Sequence, residues 1–259
     1  MNVLITNDDG VHAEGLLELK KALQAEANVY VVAPDRPRSA CGHSITLHKP
    51  LRVETVQLAD GTEALACSGT PSDCVSLGLL GLVEKPIDLV VSGINKGPNL
   101  GWDLTYSGTV SAAMEGVISG VPSIAISVAG YDKHMEFATA GKVALMLMRL
   151  LMKHTLPEST LLNVNIPNIP MDQIAGIEIT RQGKRTYEGE LQKRTDPFGR
   201  DYYWLGGELP VDHLEPGTDV SAVHSNSISV TPIHMDLTDH SALDTLNDWQ
   251  LQKLDLGDI

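Results

Sequence analysis

The sequence predicts an α/β protein: a mostly parallel sheet flanked by helices, with an appended β-hairpin arm and a C-terminal segment. Three observations predict it. Across residues 3–166, short runs rich in Val, Ile and Leu alternate with longer stretches of helical apolar spacing, the order expected of a parallel sheet covered on both faces. The short runs are almost continuously apolar, as strands buried on both sides require. After about Gly176 the alternation stops, and polar, glycine-containing strand candidates take over. The chain therefore divides at 1–175 and 176–259.

Element by element, Val3–Ile5 is a short buried strand that ends abruptly at Asn7-Asp8-Asp9-Gly10. A helix follows from about Glu14 to Glu26, with Leu16, Leu17, Leu19 and Leu23 near helical spacing. Val29–Val32 is the next strand and runs into a loop rich in Pro, Arg and Ser from Asp35 to Ser44. Leu51–Val56 and Ala64–Ala66 flank the Asp60-Gly61 turn as a hairpin. Thr70 caps a helix reaching about Leu82, with Pro71 at its first position and Asp73 in its first turn. Ile87–Val91 is a strand ending at Ser92-Gly93, Thr109–Ser119 a helix and Ser123–Val128 a strand. Glu136–Lys153 is a long amphipathic helix and Leu161–Ile166 a further strand. Ile177–Thr180, Tyr202–Leu205 and Ser227–Val230 read as strands of an appended antiparallel element. Six of the nineteen Lys and Arg lie from Arg181 to Arg200, against three acids, either a solvated hairpin or an arm that docks on a neighbouring subunit or a polyanion.

Composition excludes several classes. With 259 residues and 42% hydrophobic content, the chain can bury a sizeable core. A net charge of −14 argues against a nucleic-acid duplex or an anionic membrane as partner. A small anionic substrate fits if a cation or a local positive patch reverses the field. Cys41, Cys67 and Cys74 are odd in number and lack C-x-x-C spacing, which suits a reducing, cytoplasmic setting better than a disulfide or zinc framework. Val143–Met152 is short and contains Arg149, so it reads as a core helix and not a membrane span.

Chemistry concentrates in four loops. The first holds Asn7, Asp8 and Asp9, the second Arg36, Arg38 and Ser39. The third runs from Ser92 to Asn99 through Asn95, and the fourth from Gly101 to Gly108. In an open parallel sheet, loops leaving the carboxyl ends of the strands crowd onto one edge, where ligands bind. Asp8 and Asp9 repel one another unless a cation or strong donors offset them. Two readings fit the pair: a divalent metal site, or a helix N-terminus that draws acids to its dipole. Carboxylate, hydroxyl and amide oxygens are hard ligands that suit Mg²⁺ or Mn²⁺. Ser107-Gly108-Thr109 opens a helix with free N–H groups, two hydroxyls and a glycine that admits a close phosphate. A second copy, Ser68-Gly69-Thr70, precedes Pro71 and reads as plain capping.

Taken in order, Thr6-Asn7-Asp8-Asp9-Gly10, the Ala33-Pro34-Asp35…Ser39 loop, Gly69-Thr70-Pro71, Ser92-Gly93-Ile94-Asn95 and Tyr106-Ser107-Gly108-Thr109-Val110 resemble the SurE family of stationary-phase survival proteins. The likeness runs across about the first 130 residues. It implies a Rossmann-like catalytic core over 1–175 and an oligomerisation segment over 176–259, exchanged between subunits of a homodimer or homotetramer. It also implies a metal-dependent phosphohydrolase acting on nucleoside 5′- and 3′-monophosphates, with some activity on polyphosphate. Carried onto this chain, the family's metal ligands fall on Asp8, Asp9, Ser39 and Asn95, for one divalent ion per subunit.

On this basis the expected chemistry is attack by a metal-activated water, with Ser107, Gly108 and Thr109 holding the phosphoryl group and Asp9 accepting the water's proton. The mechanistic rival is direct attack by Asp8 through an aspartyl-phosphate. His12 and His43 lie near the expected site in sequence, and His43 or His234 is a candidate to protonate the leaving oxygen. The functional alternative is a non-enzymatic oligomer that senses nucleotide or metal. A dinucleotide oxidoreductase is disfavoured, since the first strand–helix turn lacks G-x-G-x-x-G.

Overall fold

The computed structural model describes residues 1–207 and 210–253. The end of the C-terminal segment, 254–259, and residues 208 and 209 lie outside the described residues. Strands β1 (Asn2–Thr6), β2 (Asn28–Pro34), β3 (Val53–Gln57), β4 (Glu63–Cys67), β5 (Leu89–Lys96), β6 (Ser123–Ala129) and β7 (Thr160–Pro167) alternate with helices α1 (Glu14–Leu23), α2 (Pro71–Leu77), α3 (Gly108–Ile118) and α4 (Phe137–Leu151). Beyond them come β8 (Gly176–Ile179), β9 (Lys184–Thr186), β10 (Gly189–Thr195), β11 (Asp201–Gly207) and β12 (Val211–His213). Helix α5 (Asp219–His224), β13 (Ser227–His234) and α6 (Ala242–Asp248) follow. Nine strands form one sheet in the order β3-β4-β2-β1-β5-β6-β7-β13-β8.

Side-chain alternation along the strands divides the core into two layers. Val3 and Ile5 point to the face covered by α1 and α4, where they meet Leu16, Leu19 and Leu147. Leu4 between them points to the other face, against Cys74 and Val75 of α2 and Ala112 of α3. From β1 the chain proceeds outward to β2 on one side, whereas β5, β6 and β7 add on the other. The strand order thus reverses between β1 and β5, and the crevice outside their carboxyl ends is where such sheets bind ligands.

The fold class agrees with the sequence, but three local features differ. First, α2 stops at Leu77, and Gly78–Leu82 continues as a wider turn containing Gly81. Second, β5 does not end at Ser92-Gly93: its register against β6 shifts between Ser92 and Asn95, and the strand runs on to Lys96. A bulge of this kind re-aims a strand end while pairing continues. Third, 177–180 and 227–230 do not form an antiparallel appendage. β13 inserts beside β7, antiparallel to it, and pairs in parallel with β8, because Ile228 and Val230 complete the main core. Two antiparallel pairs stand apart from this sheet: β9 with β12, and the hairpin β10–β11, in which every residue of both strands is exposed.

Candidate active site

At the end of β1 the Asn7 side chain holds the turn, its Nδ2 donating to Gly10 O (3.0 Å) and its Oδ1 accepting from Gly10 N (3.2 Å). Asp8 and Asp9 are thereby fixed at the crevice, next to the end of β5. The Arg38 N–H donates to the Asp8 carbonyl at 2.7 Å, which draws in the loop carrying Ser39. Lys96 N donates to Asp9 Oδ2 at 3.1 Å. Gly93, with φ of +144°, lies so close to β6 that a Cβ there would run into the Ile126 carbonyl oxygen. The bulge that carries Asn95 to the site therefore depends on a glycine.

Asp8, Asp9, Ser39, Asn95 and Ser107 line one cleft of about 480 Å³, within the range of small-molecule pockets, about 300–1,000 Å³. Asn95 Nδ2 donates to Gly97 O at 2.9 Å, leaving its amide oxygen to accept. Burial pushes the Asp8 carboxyl up to about 6, opposed by the Thr109 hydroxyl and assisted by the neighbouring Asp9 charge. Burial raises Asp9 as well, and the Lys96 N–H and ammonium hold it down. Two half-starved carboxylates side by side, with a hydroxyl and an amide oxygen nearby, are the donor set a hard divalent cation satisfies. Among the described residues, no three His, Cys, Asp or Glu gather to hold a metal. An ion bound between Asp8 and Asp9 would have to complete its shell from Ser39, Asn95 and water.

The start of α3 closes the site. Ser107 Oγ caps the helix by accepting from Val110 N (3.1 Å), and Gly108 packs directly on Asp8. A Cβ at Gly108 would meet Asp8 Cβ at 2.8 Å and Cys41 Sγ at 3.0 Å. Thr109 is fully buried and its hydroxyl donates to Asp8 Oδ1 at 2.6 Å. Thr109 therefore faces Asp8 and not the open cleft, whereas Ser107 faces the cleft.

The candidate histidines lie elsewhere. His43 bonds Glu115 Oε2 of α3 at 2.9 Å and does not line the cleft. His234 pairs across from Thr160, the first residue of β7, so it sits at the opposite edge of the sheet. The antiparallel course of β13, invisible in the sequence, puts it there. Conversely, Lys96, Asp103, Tyr131 and Tyr187 line the cleft without having been singled out. Lone polar or tyrosine residues in loops carry no periodic signal, and Tyr187 arrives from beyond the core.

Comparison with known proteins follows the same outline. Residues 3–189 match the family model described as "Survival protein SurE". The chain belongs to the SurE family. It is 50% identical over 250 residues to "5'-nucleotidase SurE" of Heliobacterium modesticaldum, covering 96% of this chain and 92% of that one. It is 49% identical over 251 residues to the protein of the same name from Geobacter sulfurreducens, covering 97% and 94%. Among solved structures, the SurE protein from Aquifex aeolicus superposes with a TM-score of 0.82 at 43% identity, covering 96% of this chain and all of that one. SurE membership accounts for the Rossmann-like core and for the extra hairpin strands.

Proposed function

We propose that this SurE-family chain is a 5′-nucleotidase, a metal-dependent phosphohydrolase that removes phosphate from nucleoside monophosphates. The observation that carries this reading is the meeting of Asp8 and Asp9 with Asn95, Ser39 and the N-terminus of α3 in one cleft at the point where the strand order reverses. The relatives named 5'-nucleotidase over nearly their whole length support it.

Asp8, Asp9, Ser39 and Asn95 would hold one Mg²⁺ or Mn²⁺ per subunit. When bound, that cation supplies positive charge against the phosphate oxygens and acidity to a nearby water. The chain does the rest. Ser107 and Gly108 place the free end of α3 against the phosphoryl group, where the helix dipole favours negative charge. Thr109 fixes Asp8 Oδ1 and so aims the other carboxylate oxygen. Asp9, its carboxylate steadied by Lys96 N–H, would accept the proton of the water that attacks phosphorus, and the leaving ester oxygen would take up a proton from solvent as its bond to phosphorus breaks.

Activity on 3′-monophosphates and on polyphosphate extends the same reading, since both present a terminal phosphoryl group to the same donors. The exposed hairpin β10–β11 pairs Leu191 with Leu205, at 63% and 92% exposure, and Trp204 follows opposite Gln192 in the next rung of the ladder. Such a surface supports a homodimer or homotetramer, with 176–259 as the segment that mediates it. No helix among the described residues is long and apolar enough to cross a membrane, and the three cysteines are free thiols, which supports a cytoplasmic location.

The test is phosphate release from a panel of nucleoside monophosphates before and after EDTA, with Mg²⁺ and Mn²⁺ added back. Turnover lost to EDTA and restored by either ion is the expected result. Folded protein that releases no phosphate under any ion would refute the reading.

A further inference from the structure

One end of the cleft is built from residues that the phosphoryl chemistry does not use. Three of the chain's six tyrosines could have been anywhere; Tyr106, Tyr131 and Tyr187 all line this cleft with Asp103. These residues are 67%, 61% and 58% exposed, in a protein with only 4% aromatic residues. Exposed aromatic faces gathered in a concave site are not explained by packing.

Behind them sits Arg185, whose side chain is 4% exposed. It donates to Asp103 Oδ2 and to Asp212 Oδ1, each at 2.6 Å, and reaches the Tyr131 hydroxyl at 3.4 Å. Asp212 in turn bonds His224 Nε2 at 2.7 Å. A buried guanidinium is costly unless its donors are matched, so this pairing fixes Asp103 and Tyr131 in place. Tyr187 joins Asp103 and Tyr131 in the lining of the same end of the cleft. Asp103 keeps acceptor capacity, because a carboxylate offers about four lone-pair sites.

The chemistry of this end is selective. Asp103 sets an acceptor at this end of the cleft, beside exposed tyrosine faces, which suits a group that donates through hydroxyls and presents a flat ring. Tyrosine faces stack on any base, and a fixed carboxylate accepts from a sugar hydroxyl. We infer that Asp103, Tyr131 and Tyr187 form the nucleoside subsite of this cleft, Asp103 accepting from a ribose hydroxyl and the tyrosine rings stacking on the base. Arg185 is the positioning residue that holds Asp103 and Tyr131. This inference rests on the reading of Asp8 and Asp9 as the phosphate end.

Two measurements test it. The first is the ratio of kcat/KM for adenosine monophosphate to that for glycerol 2-phosphate, compared between the native chain and Tyr131→Leu or Tyr187→Leu. Loss of one stacking face costs about 5- to 150-fold per base, so the ratio should fall by roughly 10-fold in each variant, mainly through KM. A merely structural role would move both esters together and leave the ratio unchanged, which would overturn the inference. The second is calorimetric titration of adenosine, which needs no turnover. Saturable binding weakened in both variants supports the subsite even if no ester is hydrolysed, in which case only the phosphohydrolase reading fails. No saturation up to about 10 mM, ten times the usual upper KM of about 1 mM, overturns it.

Discussion

The tripeptide Ser-Gly-Thr enters a helix twice in this chain, at Ser68–Thr70 and at Ser107–Thr109, and the two copies do different work. At the first, Thr70 Oγ1 accepts from Asp73 N (3.1 Å) while Asp73 Oδ2 accepts from Thr70 N (2.8 Å), a closed capping box. Asp73 also accepts from Thr46 N and Oγ1 at 2.8 and 2.6 Å, which spends its acceptors on structure. At the second, the cap is Ser107, and Thr109 reaches out of its helix to Asp8, 101 residues away. In both copies the glycine is pressed onto the carboxylate: a Cβ would strike Asp73 Oδ2 at 2.5 Å in one and Asp8 Cβ at 2.8 Å in the other. The local sequence is the same. What separates a helix cap from a site is where the carboxylate comes from, and whether it is left short of donors.

This contrast can be broken most severely at Asp8. Asp8→Asn removes the charge and keeps the shape, so metal-dependent phosphate release should fall by more than the 10- to 100-fold typical of losing an outer partner of a metal ligand, with the circular dichroism spectrum retained. Thr109→Val tests that outer role directly. It should lower activity by about 10- to 100-fold and raise the metal concentration needed for half-maximal rate, and Thr109→Ser should restore most of both. Next come the glycines. Either Gly→Ala change overpacks a tight contact, at about 1–3 kcal/mol, but only Gly108→Ala should also depress kcat/KM, whereas Gly69→Ala should lower the unfolding midpoint alone. Smallest is Thr70→Ala, which opens the capping box at a cost of about 0.5–2 kcal/mol in urea unfolding, with kcat and the metal requirement unchanged.

The sequence exposes the fold wherever burial imposes a pattern. Val3–Ile5 and Val29–Val32 are apolar because both faces of the sheet are covered, and the helices between them show their buried stripe. The bulged end of β5 escapes notice because Ser92-Gly93 looks like a turn; only the pairing with β6 shows that the strand continues. β9 and β12 are three residues each, too short and polar to show periodicity. The site is legible for a similar reason: Asp8, Asp9 and Asn95 each follow an apolar run, so topology alone carries them to one edge. Ser39 and Ser107 follow from the adjoining loops. Asp103, Tyr131 and Tyr187 do not, because the first two are held by Arg185, a charged residue whose burial no local pattern announces, and Tyr187 comes from beyond the core. His234 illustrates the converse, a residue placed just past a strand whose direction decides which edge it reaches.

Asp8, held by Thr109 at the start of α3, is the carboxylate on which the proposed cation site depends. Titration of Mn²⁺ into the metal-free protein by calorimetry, without substrate, tests it most directly. One saturable site per subunit is expected in the native chain and in Thr70→Ala, and its loss in Asp8→Asn. Unchanged Mn²⁺ binding by folded Asp8→Asn would contradict it.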